Sequence, residues 1–222
     1  MPNEILLICE IIVVFSLLLA TKYFFGKIGI LCWIAIASII ANIEVAKNIS
    51  VAGIYATLGN VMFASNFLAT DILSECYGRM YARLAPKIGV FAVIIYMINI
   101  QISLMYTPNE IDMVSTSMNN IFQFAPQICF ASVLMYFLSN YLDVIIYEKL
   151  KIYFKGKKLW LRNNIATILC NCLENFGFAF IAFYGTFSVN DILMIAISTS
   201  IIEIFIAICD TPFLYLAKFI RR

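Results

Sequence analysis

Seven apolar stretches, at about 5–21, 28–46, 51–70, 88–106, 121–147, 163–187 and 192–217, follow one another along the 222-residue chain with short polar connections between them. Each is near the roughly 20 apolar residues that a helix needs to cross the hydrocarbon core of a bilayer. In lipid every backbone N–H and C=O must be satisfied inside the segment, so such stretches fold as helices. The fold this predicts is all-α: a polytopic transmembrane helical bundle of about seven helices, six plus one N-terminal, in a single domain over residues 1–222. Composition agrees, with 63% hydrophobic and 13% charged residues where a soluble domain carries about 25% charged. A soluble enzyme or a nucleic-acid binder is excluded. The first stretch lacks a basic leader, holds Glu10 in its centre and is followed by Lys22 and Lys27. It therefore reads as a helix and not as a cleaved signal peptide.

The basic residues orient the bundle. If the chain crosses seven times, Lys and Arg should crowd alternate connections, on the cytoplasmic side. Lys22 and Lys27, then Arg79, Arg83 and Lys87, then the run from Lys149 to Arg162, then Lys218, Arg221 and Arg222 make fourteen of the fifteen basic residues, against Lys47 alone on the other side. The N-terminus is predicted outside and the C-terminus cytoplasmic. The longest connections are about a dozen residues, so function belongs within the helices or at their mouths.

With no histidine in the chain, bis-His haem, the usual zinc enzymes and Ser-His or Cys-His catalysis are excluded. The seven cysteines, at 9, 32, 76, 129, 170, 172 and 209, lie in or beside apolar stretches without metal-knuckle spacing and read as small packing residues. No catalytic residue, metal or cofactor is predicted. A phosphate-binding G-x-x-x-x-G-K-[ST] loop is absent from the sequence, so the chain does not itself hydrolyse ATP.

Acids inside the apolar stretches carry the functional signal, because a carboxylate in hydrocarbon needs a partner, a water-filled cavity or a proton. Glu10, Asp143, Glu174, Glu203 and Asp210 are such acids. Two of them belong to an internal echo, Ser139-Asn-Tyr-Leu-Asp143 and Cys170-Asn-Cys-Leu-Glu174, each reading small-Asn-x-Leu-acid. Amide and acid are three apart and share a helix face. Asn140 and Asn171 each lie nine residues from a basic residue, Lys149 and Arg162, or about 13 Å along a helix. Both amides are thus predicted at similar depth facing one cavity, where transporters place substrate. A carboxylate there can accept from the N1–H and 2-amino edge of a guanine-like base, an amide can match a ring carbonyl, and Tyr141, Phe176 or Phe178 can stack on a flat ring. The same Asn and acid groups also serve as hydrogen-bonding glue between helices. A second constellation, Asn66 to Arg83, spaces Asp71, Glu75 and Arg79 one helical turn apart, with Asp71 and Glu75 in reach of Arg79 and Arg83; it reads as a snorkelling helix end or as a cytoplasmic gate.

At these motifs the sequence resembles a known family. Phe67-Leu-Ala-Thr-Asp-Ile-Leu-Ser-Glu-Cys-Tyr-Gly-Arg79, Leu159-Trp-Leu-Arg-Asn-Asn164, Asn171-x-x-Glu174, Phe180-Ile-Ala-Phe-Tyr-Gly185, Ala41-Asn42-Ile43 through Lys47 and Thr57-Leu-Gly-Asn60 resemble the bacterial queuosine precursor transporters, also called vitamin-uptake-transporter-like. The likeness runs over about 3–218, and the D-I-L-S-E-x-Y-G-R block is its most specific part. It implies import of a 7-deazaguanine (preQ0, preQ1 or queuine) across a bacterial cytoplasmic (inner) membrane for queuosine modification of tRNA. The family's usual Gln-x-x-Asp-Thr is Asn171-x-x-Glu174-Asn175 here, a frequent Arg is Gln127, and a Gln is Asn140. Exchanging Gln/Asp for Asn/Glu moves one methylene between the two groups, and Gln127 loses a cation; both bear on which precursor is carried.

The expected substrate contacts are Asn140, Asp143, Asn171 and Glu174, with Asn42, Asn60 and Gln127 as secondary lining; Asp71, Glu75, Arg79 and Arg162 are assigned to a gate or structural support. The partners expected are a small deazapurine and the bilayer, with proton coupling suggested by the membrane acids and no nucleic acid. A second reading is a substrate-binding membrane subunit of an energy-coupling vitamin importer, whose ATPase partner would sit on other chains. A third, an intramembrane aspartyl enzyme, needs two carboxylates sharing a proton, and the echo sets Asp143 and Glu174 at different depths.

Overall fold

The computed structural model describes residues 2–45, 47–122, 126–185 and 187–220, with backbone alone at 48, 54–57 and 126–129. The chain is built from α1 (Asn3–Glu44), a hairpin of β1 (Asn48–Val51) and β2 (Ile54–Thr57), α2 (Asn60–Cys76), α3 (Arg79–Leu104), α4 (Ser115–Phe122), α5 (Pro126–Tyr153), α6 (Leu159–Phe183) and α7 (Val189–Phe219). Of these, α1, α3, α5 from Phe130, α6 and α7 are long and apolar enough to cross a membrane.

The first two apolar stretches both lie in α1, which turns back at Gly26 (φ +61°, ψ −143°). A straight helix of 42 residues would be about 63 Å long. Yet Asn3 Nδ2 donates to the Ser50 carbonyl and the Ala52 N–H donates to the Glu4 carboxylate, both at 2.8 Å, so the start of α1 lies beside the hairpin that follows its end. Residues 3–25 and 27–44 therefore run antiparallel. Only glycine adopts that backbone conformation without steric strain.

The third stretch departs from the expected pattern. A helix is predicted over 51–70, but 48–57 forms an antiparallel hairpin with Asn48 opposite Thr57 and Val51 opposite Ile54. Ala52 and Gly53 both take positive φ, +50° and +78°, the geometry of a two-residue hairpin turn. The helix is displaced toward Cys76, so α2 carries Asn66, Thr70, Asp71 and Ser74 into the interior. Packed against α1, α3, α5 and α7, α2 buries fourteen of its seventeen residues and is the centre of the bundle. Phe67, Leu68, Ile72 and Leu73 from α2 are inaccessible, as are Phe15, Leu18, Ile30 and Ile34 from α1 and Ile206 and Leu214 from α7. Within the fifth stretch α4 is described to Phe122 and α5 from Pro126, and residues 123–125 lie outside the described residues.

The basic connections meet at one end of the bundle. Lys22 donates to the Ala217 carbonyl, Lys27 donates to Tyr81 Oη at 2.7 Å, and Glu75 receives Lys151, Arg162 and Lys218 at 3.3, 3.0 and 2.8 Å. The hairpin and the start of α1 form the other end. Asp71 and Glu75 do not pair with Arg79 or Arg83 among the described residues, contrary to the expected ladder. Gly78 (φ +91°, ψ +164°) directs α3 away from α2, and Arg79 is exposed at its start.

Candidate functional site

A cavity of about 820 Å³ opens at the hairpin end between the C-terminal half of α6, the N-terminal half of α7 and the facing parts of α1, α2, α3 and α5. Its volume falls in the range of small-molecule sites, about 300–1,000 Å³. Phe63, Phe178, Phe183 and Phe187 give it flat apolar walls, and Asn42, Asn60, Ser132, Glu174, Asn175 and Glu203 supply polar groups. Phe187 and Asp191 stand exposed at the mouth.

The polar groups are tied to the helices that carry them. On α1, Asn42 donates to the Ser38 carbonyl one turn back at 2.8 Å, and its Oδ1 accepts from Ser132 on α5 at 3.2 Å. Glu174 of α6 accepts a hydrogen bond from Ser139 of α5. Asn175 donates to Glu203 of α7 at 2.6 Å. Tyr136 buttresses the same region: its hydroxyl hydrogen-bonds Ser38 at 2.9 Å, Asn66 donates to that serine at 3.2 Å, and its ring meets Phe63 edge-on at 5.5 Å. Gly89 on α3 faces the Tyr136 ring so closely that a Cβ would collide with it. Among the described residues every ionisable group lining the cavity, Glu174, Asp191 and Glu203, is an acid.

Of the four principal contacts predicted from the echo, Glu174 lines the cavity while Asn140, Asp143 and Asn171 lie beyond its wall, all at most 1% exposed. The hydrogen bond between Ser139 and Glu174 sets the register of the antiparallel pair α5 and α6. It places Asn171 about level with Asp143 and Asn140 about level with Glu174, so the two amides are offset by about two residues, or roughly 3 Å, in depth. Asn140 donates back to the Tyr136 carbonyl at 3.0 Å, and Asp143 Oδ2 accepts from Thr70 at 3.4 Å. Asn42 and Asn60 are among the residues lining the cavity; the side chain of Gln127 lies outside the described residues. Among the aromatics, Phe178 is in the wall, Tyr141 stacks on Phe137 and Phe176 packs against the Ala179–Ile192–Ala196 cluster.

Asp71, Glu75 and Arg162 lie toward the basic end. Arg162, fully buried, reaches Glu75 and holds its guanidinium 5.2 Å from the Tyr147 ring centre. Sequence reasoning did not assign Asn175, Ser132 or Glu203 to the site. Glu203 was visible as an intramembrane acid, but its pairing with Asn175 depends on the packing of α6 on α7, which no local spacing encodes.

Residues 57–217 match the family model described as "Putative vitamin uptake transporter". The chain is 35% identical over 195 residues to the "Probable queuosine precursor transporter" of Bacillus subtilis (strain 168), covering 87% of this chain and 85% of that protein. It is 31% identical over 150 residues to the "Queuosine precursor transporter" of Escherichia coli (strain K12), covering 65% of this chain and 62% of that protein. No solved structure matches the chain. These relatives are transporters and not enzymes, and several apolar helices of spanning length accord with a multi-pass membrane protein. A helical bundle with a walled cavity, sharing sequence with them over most of its length, belongs to the queuosine precursor transporter family.

Proposed function

We propose that this protein imports a 7-deazaguanine queuosine precursor through the cavity bounded by α6 and α7. The observation that carries this reading is the placement of Glu174 with Asn42, Asn60 and Phe178 around one space of about 820 Å³. A carboxylate accepting from the N1–H and 2-amino edge, an amide matching the ring carbonyl and a phenyl wall stacking on the ring together recognise a guanine-like base. Asn140, Asp143 and Asn171 then act behind the wall and not on the base. Gln127, at the start of α5, remains a proposed secondary contact.

We further infer seven passes, α1 supplying two by folding at Gly26 and the shorter, buried α2 supplying one. With the Lys- and Arg-rich end in the cytoplasm, the N-terminus is outside and the cavity opens outward, in the conformation that receives substrate. Closing its mouth and parting the helices around Glu75 and Arg162 would deliver substrate inward.

The test is uptake of labelled preQ0, preQ1 and queuine by a host unable to make or import them, read as queuosine in tRNA. Wild-type protein should restore modification with at least one precursor, and Glu174→Gln should abolish it. If no precursor restores modification while the protein is confirmed in the membrane, the reading fails.

A further inference from the structure

Between the cavity and the basic end lies a layer of acids that substrate recognition does not use. Asp71 on α2, Asp143 on α5 and Asp210 on α7 are at most 1% exposed. Among the described residues none of them is in an ion pair, and the salt bridges of the bundle converge on Glu75. Both oxygens of Asp71, Oδ1 of Asp143 and Oδ2 of Asp210 have no hydrogen-bond partner among the described residues. The donors that do reach the layer are neutral: Thr70 to Asp143 at 3.4 Å and Asn163 to Asp210 at 2.6 Å.

The groups facing this layer can be taken helix by helix. From α2 comes Glu75, from α5 Tyr147, and from α6 Cys170 and Arg162; from α7 Cys209 adjoins Asp210. No charge from α1 or α3 bears on Asp71 among the described residues. Arg162 is the single cation, and it is committed to Glu75 while its Nε and Nη1 lack hydrogen-bond partners. Three buried carboxylates and one shared cation leave negative charge that a low-dielectric interior does not tolerate. Something positive must neutralise it. No grouping of three or more acidic or thiol side chains among the described residues is arranged to hold a metal ion, whereas a proton needs only one oxygen.

We propose that Asp71, Asp143 and Asp210 form the proton-coupling site of the transporter, separate from the substrate cavity; this rests on the import reading. A proton arriving from the cavity side forms an O–H bond on Asp71, passes from there to the Asp143 or Asp210 carboxylate so that Asp71 becomes charged, and leaves to water on the basic side once the inner end opens. When Asp71 is charged, the free N–H groups of Arg162 turn to it and the tie between α2 and α6 at Glu75 loosens. When Asp71 is neutral, Arg162 stays on Glu75 and the inner end is shut. Alternation between these pairings links proton passage to opening.

The test uses purified wild type, Asp71→Asn and Asp143→Asn in proteoliposomes, each reading two quantities with labelled preQ1. Wild type should accumulate substrate under an imposed inward proton gradient, lose accumulation with a protonophore, and show no dependence on sodium. Asp143→Asn should lose gradient-driven accumulation yet keep counterflow exchange across the membrane, Asp71→Asn, held neutral with the inner end shut, should lose both, and Asp143→Glu should recover accumulation. Unchanged accumulation in the variants, or sodium-driven accumulation in wild type, overturns the proposal. Infrared spectra give a substrate-independent reading, since wild type should show the carbonyl stretch of a protonated carboxyl that Asp71→Asn diminishes. Absence of that band overturns the proposal even if no deazaguanine is exchanged, an outcome that would separately defeat the import reading.

Discussion

Asp71 and Glu75 stand one helical turn apart on α2 and live in opposite electrostatic surroundings. Glu75 meets Lys151, Arg162 and Lys218 within 3.3 Å, while Asp71 has no partner for either oxygen among the described residues. One step of about 6 Å along the helix separates a place where three helix ends deliver cations from a layer that only helix middles reach. Glu75 holds the bundle shut at its basic end. Asp71, in the same helix, has no such structural duty.

The sharpest way to break this comparison is to remove Glu75. Glu75→Ala leaves Arg162, fully buried, without its carboxylate, and stranding one member of a buried pair costs about 3–5 kcal/mol. Thermal unfolding of the purified protein in detergent should show a large drop in midpoint or failure to recover folded protein. Asp71→Asn should behave otherwise, since it removes a charge that has no partner; its stability should lie within about 1 kcal/mol of wild type or exceed it. Equal destabilisation by both changes would mean that the two acids share one structural network.

Gly26 tests the fold on which the comparison depends. Gly26→Ala places a side chain where the backbone has φ +61° and ψ −143°, which costs about 1–3 kcal/mol. The turn should loosen, separating Lys22 and Lys27 from their contacts at the basic end. Cross-linking of cysteines placed at Asn3 and Ser50 reports the fold-back directly, and undiminished yield in the variant would count against the turn. Among the cations on Glu75, Lys218 is 42% exposed, so Lys218→Ala should cost under about 1 kcal/mol, which separates solvent-screened from buried partners.

Much of this was legible in the residues. The apolar stretches located α3, α6 and α7 and both halves of α1, because the requirement to satisfy backbone groups in lipid leaves helices as the local solution. The crowding of Lys and Arg anticipated which connections meet at one end. The hairpin escaped detection because Ile49, Val51 and Ile54 supply the same hydropathy in a strand as in a helix. The echo around Asn140 and Asn171 marks positions that are buried polar groups, but their arrangement was not legible in it. Its outcome turned on a two-residue offset between α5 and α6, decided where Ser139 meets Glu174 and where Gly177 admits the Met135 side chain. Such register comes from packing between helices, and spacing within each helix is blind to it.

Asp112, in the connection between α3 and α4, sharpens the contrast with Asp71 at the smallest scale. Its carboxylate accepts from the Val114 and Ser115 backbone N–H groups at 2.8 and 2.7 Å, so donors that Asp71 lacks are abundant for an acid in full contact with water. Those hydrogen bonds hold its carboxyl below the usual aspartate range. Because the folded form binds the proton less readily than the unfolded one, Asp112 supports the start of α4 at neutral pH, and that support fades as pH falls through the usual aspartate range toward the lower folded value. Hydrogen exchange at the Val114 and Ser115 amides should quicken relative to the helix interior over that acidic window, and Asp112→Ala should show the quickened exchange already at neutral pH. Since the group is exposed, the effect stays local and the midpoint of unfolding should not move. A shift of the whole bundle with Asp112 would mean that this connection carries tertiary load, as the Glu75 cluster does.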